Sequence, residues 1–335
     1  MKKRLFVSLA SAGLSFVLAA RGQAISLQED FSTDPATRGW QVLGDTTLFH
    51  WDATHQNMQV TWDSSRPNSY FCLPLGTTLS KDSDFTLTFD LQLSDFLAGI
   101  NPDKPYPFQI AIALINPAKA TQPGFARGTG ADSPDLVEFD FFPDPGGAWI
   151  FGPSITPVIA DSIGTDPSTD WAYGFAGLSL TTGDLYHVVM SYTASNQTLH
   201  TAMTDNGEAF GPVSDAQLVP GFQDFQVDHV AICSYSDAVQ VPDFYGSILA
   251  HGTVDNFVVT MPPPVTIISG GPGSPGWQVA FHSRSDWRYT LERTVNFRSW
   301  SAVSLTTSGN GTNLVLQDAS APADKAFYRV HAEQP

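Results

Sequence analysis

The stretch Asp135-Leu-Val-Glu-Phe-Asp-Phe-Phe-Pro-Asp144 decides how this chain is read. Side chains alternate across an extended strand, so Val137, Phe139 and Phe141 point one way and Glu138 and Asp140 the other. The apolar set belongs to a core between two sheets. The acidic pair is then expected on the far side, facing water, a groove or a metal. Pro143 cannot donate to a strand ladder, so the strand should stop before Asp144.

The same alternation recurs outward from this point. In Phe85-Thr-Leu-Thr-Phe-Asp-Leu-Gln-Leu93 the apolar residues take one face and Thr86, Thr88, Asp90 and Gln92 the other, as in an antiparallel strand with one wet side. Phe108 to Leu114, Leu185 to Tyr192, Thr198 to Met203, Phe225 to Ser234 and Thr253 to Met261 also read as strands, with turn residues such as Asp205-Asn206-Gly207 between them. From residue 25 on, no run of ten residues has helical periodicity. The reading is all-β: one large jelly-roll sandwich over residues 25–261.

Pro262-Pro263-Pro264 reads as a stiff linker, 262–264. Beyond it, Val265–Ile268, Trp277–His282, Arg288–Arg293, Trp300–Leu305, Leu314–Gln317 and Phe327–His331 predict a small immunoglobulin- or fibronectin-like sandwich over residues 265–335. Gly270 to Gly276 is expected as a loop inside it.

Residues 1–24 carry Lys2, Lys3 and Arg4, an apolar run from Leu5 to Ala20, and small residues at Gly22 and Ala24, which is the pattern of a secretory signal peptide. The apolar run is too short to span a bilayer. An exported protein, secreted or at the cell surface, is expected. Removing those residues takes away four basic groups and no acid, leaving 12 Lys and Arg against 33 Asp and Glu. Residues 25–264 hold 28 of the acids and six of the basic groups. Such a surface repels phosphate backbones and anionic lipid, so neither nucleic acid nor membrane insertion is expected.

Cys72 and Cys233 both fall in apolar strand-like stretches, and spacing leaves open whether they are bridged or free. Asp228 and His229 are adjacent on a predicted strand and are therefore expected on opposite faces. There is no Gly-x-Ser-x-Gly, His-Glu-x-x-His or phosphate-loop motif.

Phe108-Gln-Ile-Ala-Ile-Ala-Leu-Ile-Asn-Pro117, a glycine-bearing loop, and then Val137-Glu-Phe-Asp-Phe-Phe142 together resemble the concanavalin A-like lectin/glucanase superfamily. Glu29-Asp-Phe-Ser32 and Val254-Asp-Asn-Phe257 resemble the first and last strands of laminin-G-like members. In legume lectins a Val-Glu-Phe-Asp strand carries metal ligands. The resemblance therefore implies a calcium held by Glu138, Asp140 and Asp144, with the Phe142 carbonyl beside them. The pattern breaks after Asp144, where Gly146, Gly147, Ala148 and Trp149 replace the further acid and histidine expected for a second metal.

The strand is also similar to the Glu-x-Asp-x-x-Glu signature of family 16 glycoside hydrolases. A retaining hydrolase needs two carboxylates, one to attack and one to protonate the leaving group. Here Phe142 or Pro143 stands where the second glutamate belongs.

Trp171, Tyr173 and Phe175 alternate, so they either present three rings for sugar stacking or pack into the core. Trp149, in the loop after the acidic strand, is a further stacking candidate. The reading preferred from sequence is a secreted, non-catalytic, lectin-like protein that binds a polysaccharide or glycan at Trp149, Trp171 and Tyr173. A glycoside hydrolase with an altered carboxylate pair, and an adhesion module without a small ligand, remain open beside it. The C-terminal run from Tyr289 to Trp300 and Ala326 to Val330 is similar to a module that closes many exported bacterial proteins.

Overall fold

The computed structural model describes residues 25–122, 134–144, 152–164, 166, 168–240, 245–284, 287–322 and 325–333. The chain divides into two compact units, which meet in the sequence between Pro262 and Pro263. Among the described residues the longest helical run is four residues, as in Pro117–Ala120. No helix there is long and apolar enough to cross a membrane.

The large unit is a sandwich of two antiparallel sheets. The nine-stranded sheet runs Glu208–Phe210, Thr198–Asp205, Leu185–Thr193, Phe85–Ala98, Ile248–Met261, Asn57–Asp63, Phe49–Asp52, with Ile25–Glu29 and Ala216–Gln217 pairing off this path. The eight-stranded sheet runs Trp171–Tyr173, Val158–Ala160, Leu136–Phe142, Ile110–Ile115, Val227–Ser234, Ser69–Leu79, Gln41–Leu43, with Ser154–Ile155 on the flank of Leu136–Phe142. Rings tie the two sheets together. Phe139 meets Phe89 edge-on at 5.5 Å, Phe141 meets Phe96 at 6.1 Å, and Trp40, just before Gln41–Leu43, meets Phe257 at 5.6 Å. Each ring pair adds contact specificity to the apolar area it buries.

The strand Phe85–Ala98 has the predicted character: Phe85, Leu87, Phe89, Leu91 and Leu93 are buried, and Thr86, Thr88, Asp90 and Gln92 are only partly so. Ile110–Ile115 and Leu136–Phe142 differ, because residues on both faces of these strands are buried. The two cysteines are buried and are not bridged to each other. Cys72 faces Ala231 across the ladder and Cys233 faces Tyr70, so the thiols are diagonal neighbours on one face. Diagonal strand positions lie roughly 7–8 Å apart, beyond the reach of an unstrained disulfide. Burial pushes the Cys72 thiol up to about 11.

Two local expectations are corrected. Gly270 and Gly271 are not in a loop; they belong to the strand Val265–Pro272 and pair with Val279 and Gln278. A side chain at Gly270 would come within 3.3 Å of the Trp277 ring, so the glycine lets the strand continue beneath the indole. Asp228 and His229 are not kept apart either. A bulge in the ladder at this point brings His229 Nδ1 within 2.6 Å of Asp228 Oδ1.

The small unit packs a three-stranded sheet (Val265–Pro272, Trp277–Ser283, Asn313–Asp318) and a four-stranded one built on Arg288–Thr294. Val279, Phe281, Tyr289, Leu291 and Leu316 form its core. Of the stretch Trp300–Leu305, only Ser301–Ala302 pairs as strand.

Candidate functional site

Register places the acidic strand's second face in rows. Glu138 lies between Ala113 on one neighbouring strand and Val158 on the other, and Asp140 lies beside Ala111. The row through Glu138 continues from Ala113 to Ala231 and Cys72, and from Val158 to Tyr173 on the edge strand. Ala111, Ala113 and Ala231 put small side chains in the rows beside the two carboxylates.

Glu138 and Asp140 do not face solvent. They are 0% and 1% exposed, so of water, a groove or a metal it is water that the acidic side does not face. The Tyr235 hydroxyl donates a hydrogen bond to Glu138 Oε2, and the Tyr235 ring meets Tyr70 edge-on at 6.1 Å. Tyr235 therefore caps the acid from the strand that carries Cys233. Sequence reasoning passed over this residue. Its only signal was position, two residues beyond Cys233 and so on the same face if the strand is extended past Ser234.

Calcium takes six to eight oxygen ligands. Among the described residues no three His, Cys, Asp or Glu side chains gather to hold a metal ion, and one Glu138 oxygen is already an acceptor for a hydroxyl. The set Glu138, Asp140 and Asp144 thus does not fit a three-carboxylate calcium centre among the described residues.

The aromatic residues divide. Trp149 lies outside the described residues. Trp171, Tyr173 and Phe175 are brought together at the outer edge of the eight-stranded sheet, where Trp171–Tyr173 is the terminal strand. Ala172 between them is buried, Trp171 is half-buried against the core, Tyr173 is 62% exposed and Phe175 is 43% exposed. The indole N–H of Trp171 is buried and has no hydrogen-bond partner among the described residues. A tight backbone fixes the display. Gly174 N–H donates to the Pro157 carbonyl, and a side chain at 174 would collide with the Ser214 carbonyl at 2.0 Å. Ser214 Oγ in turn accepts the Phe175 N–H at 2.7 Å.

On the opposite sheet the wet face carries a different chemistry. His187 Nδ1 is 2.6 Å from Asp90 Oδ1, and Asn256 Nδ2 donates to the other Asp90 oxygen at 2.8 Å. Asp255, level with Asp90 in the ladder, is pushed up to about 6 by burial, and by the charges of Asp90, Asp30 and Glu29 against the lowering effect of the Asn256 N–H. A shallow depression of about 310 Å³ lies on the same sheet, lined by His50, Gln59, Thr61, Ser94, His251 and Thr253 among others.

No known sequence family matches the chain, and no curated protein sequence does. Solved structures similar to it include legume lectins. Peanut lectin with a nonamer peptide is 14% identical, with 71% of this chain and 98% of that chain covered and a TM-score of 0.42. Lectin II from Ulex europaeus is 14% identical over 71% and 98%, with a TM-score of 0.44. Winged bean acidic lectin complexed with methyl-α-D-galactose is 10% identical over 72% and 99%, with a TM-score of 0.43. At these identities and TM-scores the likenesses assign neither a ligand nor a site. The class defined by the sheets themselves is an all-β, antiparallel jelly-roll sandwich with a small β unit after it.

Proposed function

We propose that this is an exported, non-catalytic glycan-binding protein that holds a saccharide against Trp171, Tyr173 and Phe175. One observation carries the reading: Tyr173 at the end of a sheet-edge strand and Phe175 two residues on are exposed, although the same unit buries more than a dozen other rings. Exposed aromatic rings on rigid backbone offer apolar, quadrupolar faces to the C–H faces of a sugar, with the tyrosine hydroxyl as a polar handle. Export rests on the charged and apolar pattern of residues 1–24, and the similarity of Val137-Glu-Phe-Asp140 to lectin strands supports the ligand class. The small unit is read as immunoglobulin-like on its two-sheet pairing.

The acidic strand takes a structural part in this account. A general acid or nucleophile must touch its substrate, whereas Glu138 and Asp140 are closed off from solvent and Glu138 is engaged by Tyr235. The test is a glycan array probed with the exported protein and with Tyr173→Ala. Binding that survives the substitution unchanged, or release of reducing ends from any bound polysaccharide, would overturn the proposal.

A further inference from the structure

The small unit carries a second aromatic surface, separate from the edge strand of the large one. Phe297 and Phe327 have ring centroids 4.0 Å apart, and Trp300 meets Phe297 edge-on at 6.3 Å. The Arg329 guanidinium lies over the Trp300 ring, 4.5 Å from its centroid, while its Nε donates to Glu292 at 2.6 Å. Phe297 is 61% exposed, although the unit has an apolar core of its own.

The loop that shows this ring is built to stay in place. Phe297 has φ +59°, a left-handed conformation that costs a bulky residue energy and persists only where surrounding bonds impose it. Those bonds are present. Thr294 Oγ1 accepts the N–H groups of Asn296 and Phe297, and Asn296 Oδ1 accepts those of Arg298 and Ser299. An exposed ring on a strained, fixed backbone is preorganised for contact, since little freedom is left to lose on binding.

Charge narrows the ligand. Arg298 follows Phe297 in the loop, and Lys325 stands two residues before Phe327. Both are exposed. Neither side chain has an ion pair or hydrogen bond among the described residues. Both therefore lie within two residues of a ring in the sequence, and Arg329, held by Glu292, covers a third. Residues 25–264, by contrast, hold 28 acids against six basic groups, a surface that repels anions.

We propose that Phe297, Trp300 and Phe327, with Arg298, Lys325 and Arg329, bind an acidic polysaccharide of uronate units. The rings take the apolar sugar faces, and the cations pair with the ring carboxylates. Arg329 stays oriented by Glu292 while it covers Trp300.

The test uses the full chain in affinity electrophoresis and calorimetry, with polygalacturonate as the acidic probe and hydroxyethyl cellulose as the neutral one. Polygalacturonate should bind, and its affinity should fall by about tenfold or more between low salt and about 0.5 M, because exposed charges are screened. Phe297→Ser and Arg298→Glu, both at exposed loop positions, should each weaken binding by about tenfold at an unchanged melting temperature, a loss of about 1.4 kcal/mol. Tyr173→Ala should leave this binding intact, which separates it from the site on the large unit. The proposal is overturned by absence of binding to polygalacturonate, by equal binding of the neutral polymer, or by binding that ignores both loop variants and responds to Tyr173→Ala.

Discussion

Phe85–Ala98 and Leu136–Phe142 have the same hydropathic rhythm and opposite fates. Both set Phe or Leu against Thr, Asp, Gln or Glu at period two, and both turn the apolar set into the space between the sheets, where Phe89 and Phe139 touch. On the first strand the polar set is wet. On the second it is sealed, with Glu138 under the Tyr235 hydroxyl and Asp140 1% exposed. Alternation reports which side chains share a face; it carries no information on what covers that face. The cover comes from residues distant in sequence.

The comparison can be broken most forcefully at Phe139. Truncation to Ala removes a fully buried ring that contacts the other sheet, and should cost about 3–5 kcal/mol, read as a shift of the denaturant midpoint. The next step sharpens the contrast between the two polar faces. Tyr235→Phe deletes the donor to a buried carboxylate and should cost about 1.5–3 kcal/mol, whereas Thr88→Ala on the wet face should stay within about 0.5 kcal/mol. Equal effects of these two would show that the face holding Glu138 is no more sealed than the other.

A smaller effect is expected from Asp255 on the wet sheet. Its carboxyl is raised from the ordinary 3.8 to about 6, so the folded protein holds a proton there that the unfolded chain has released. The contribution is complete below about pH 4 and is lost as pH rises through about 6, so acidification from pH 7 to 5 stabilises the fold through this group. Allowing for its partial exposure, the gain is on the order of 1 kcal/mol. Melting curves of Asp255→Asn should lack this component between pH 7 and 5. An identical pH dependence in wild type and variant would assign it elsewhere.

How much of this was legible follows from the range of the forces involved. Strand positions came from period-two alternation, a local property, and so the all-β sandwich was readable from Phe85–Leu93 and Val137–Phe141. The fate of Glu138 was not, because Tyr235 stands 97 residues away and reaches it only through the pairing of three strands. Gly270 and Gly271 misled for a related reason. Glycine usually marks a turn, and only the close approach of Trp277 explains it within a strand. Trp171, Tyr173 and Phe175 were readable as one face, while their exposure depended on Trp171–Tyr173 being the outermost strand of its sheet.

The central claim is that the exposed rings at that edge bind sugar while the sealed carboxylates do not react with it. Calorimetric titration of the best array ligand into wild type, Tyr173→Ala and Glu138→Gln tests it most directly. The account predicts a loss of affinity of about tenfold or more for Tyr173→Ala, with its melting temperature unchanged. It predicts that Glu138→Gln lowers the melting temperature and leaves the affinity per folded molecule intact. Unaltered binding by Tyr173→Ala, together with lost binding by a fully folded Glu138→Gln, would contradict it.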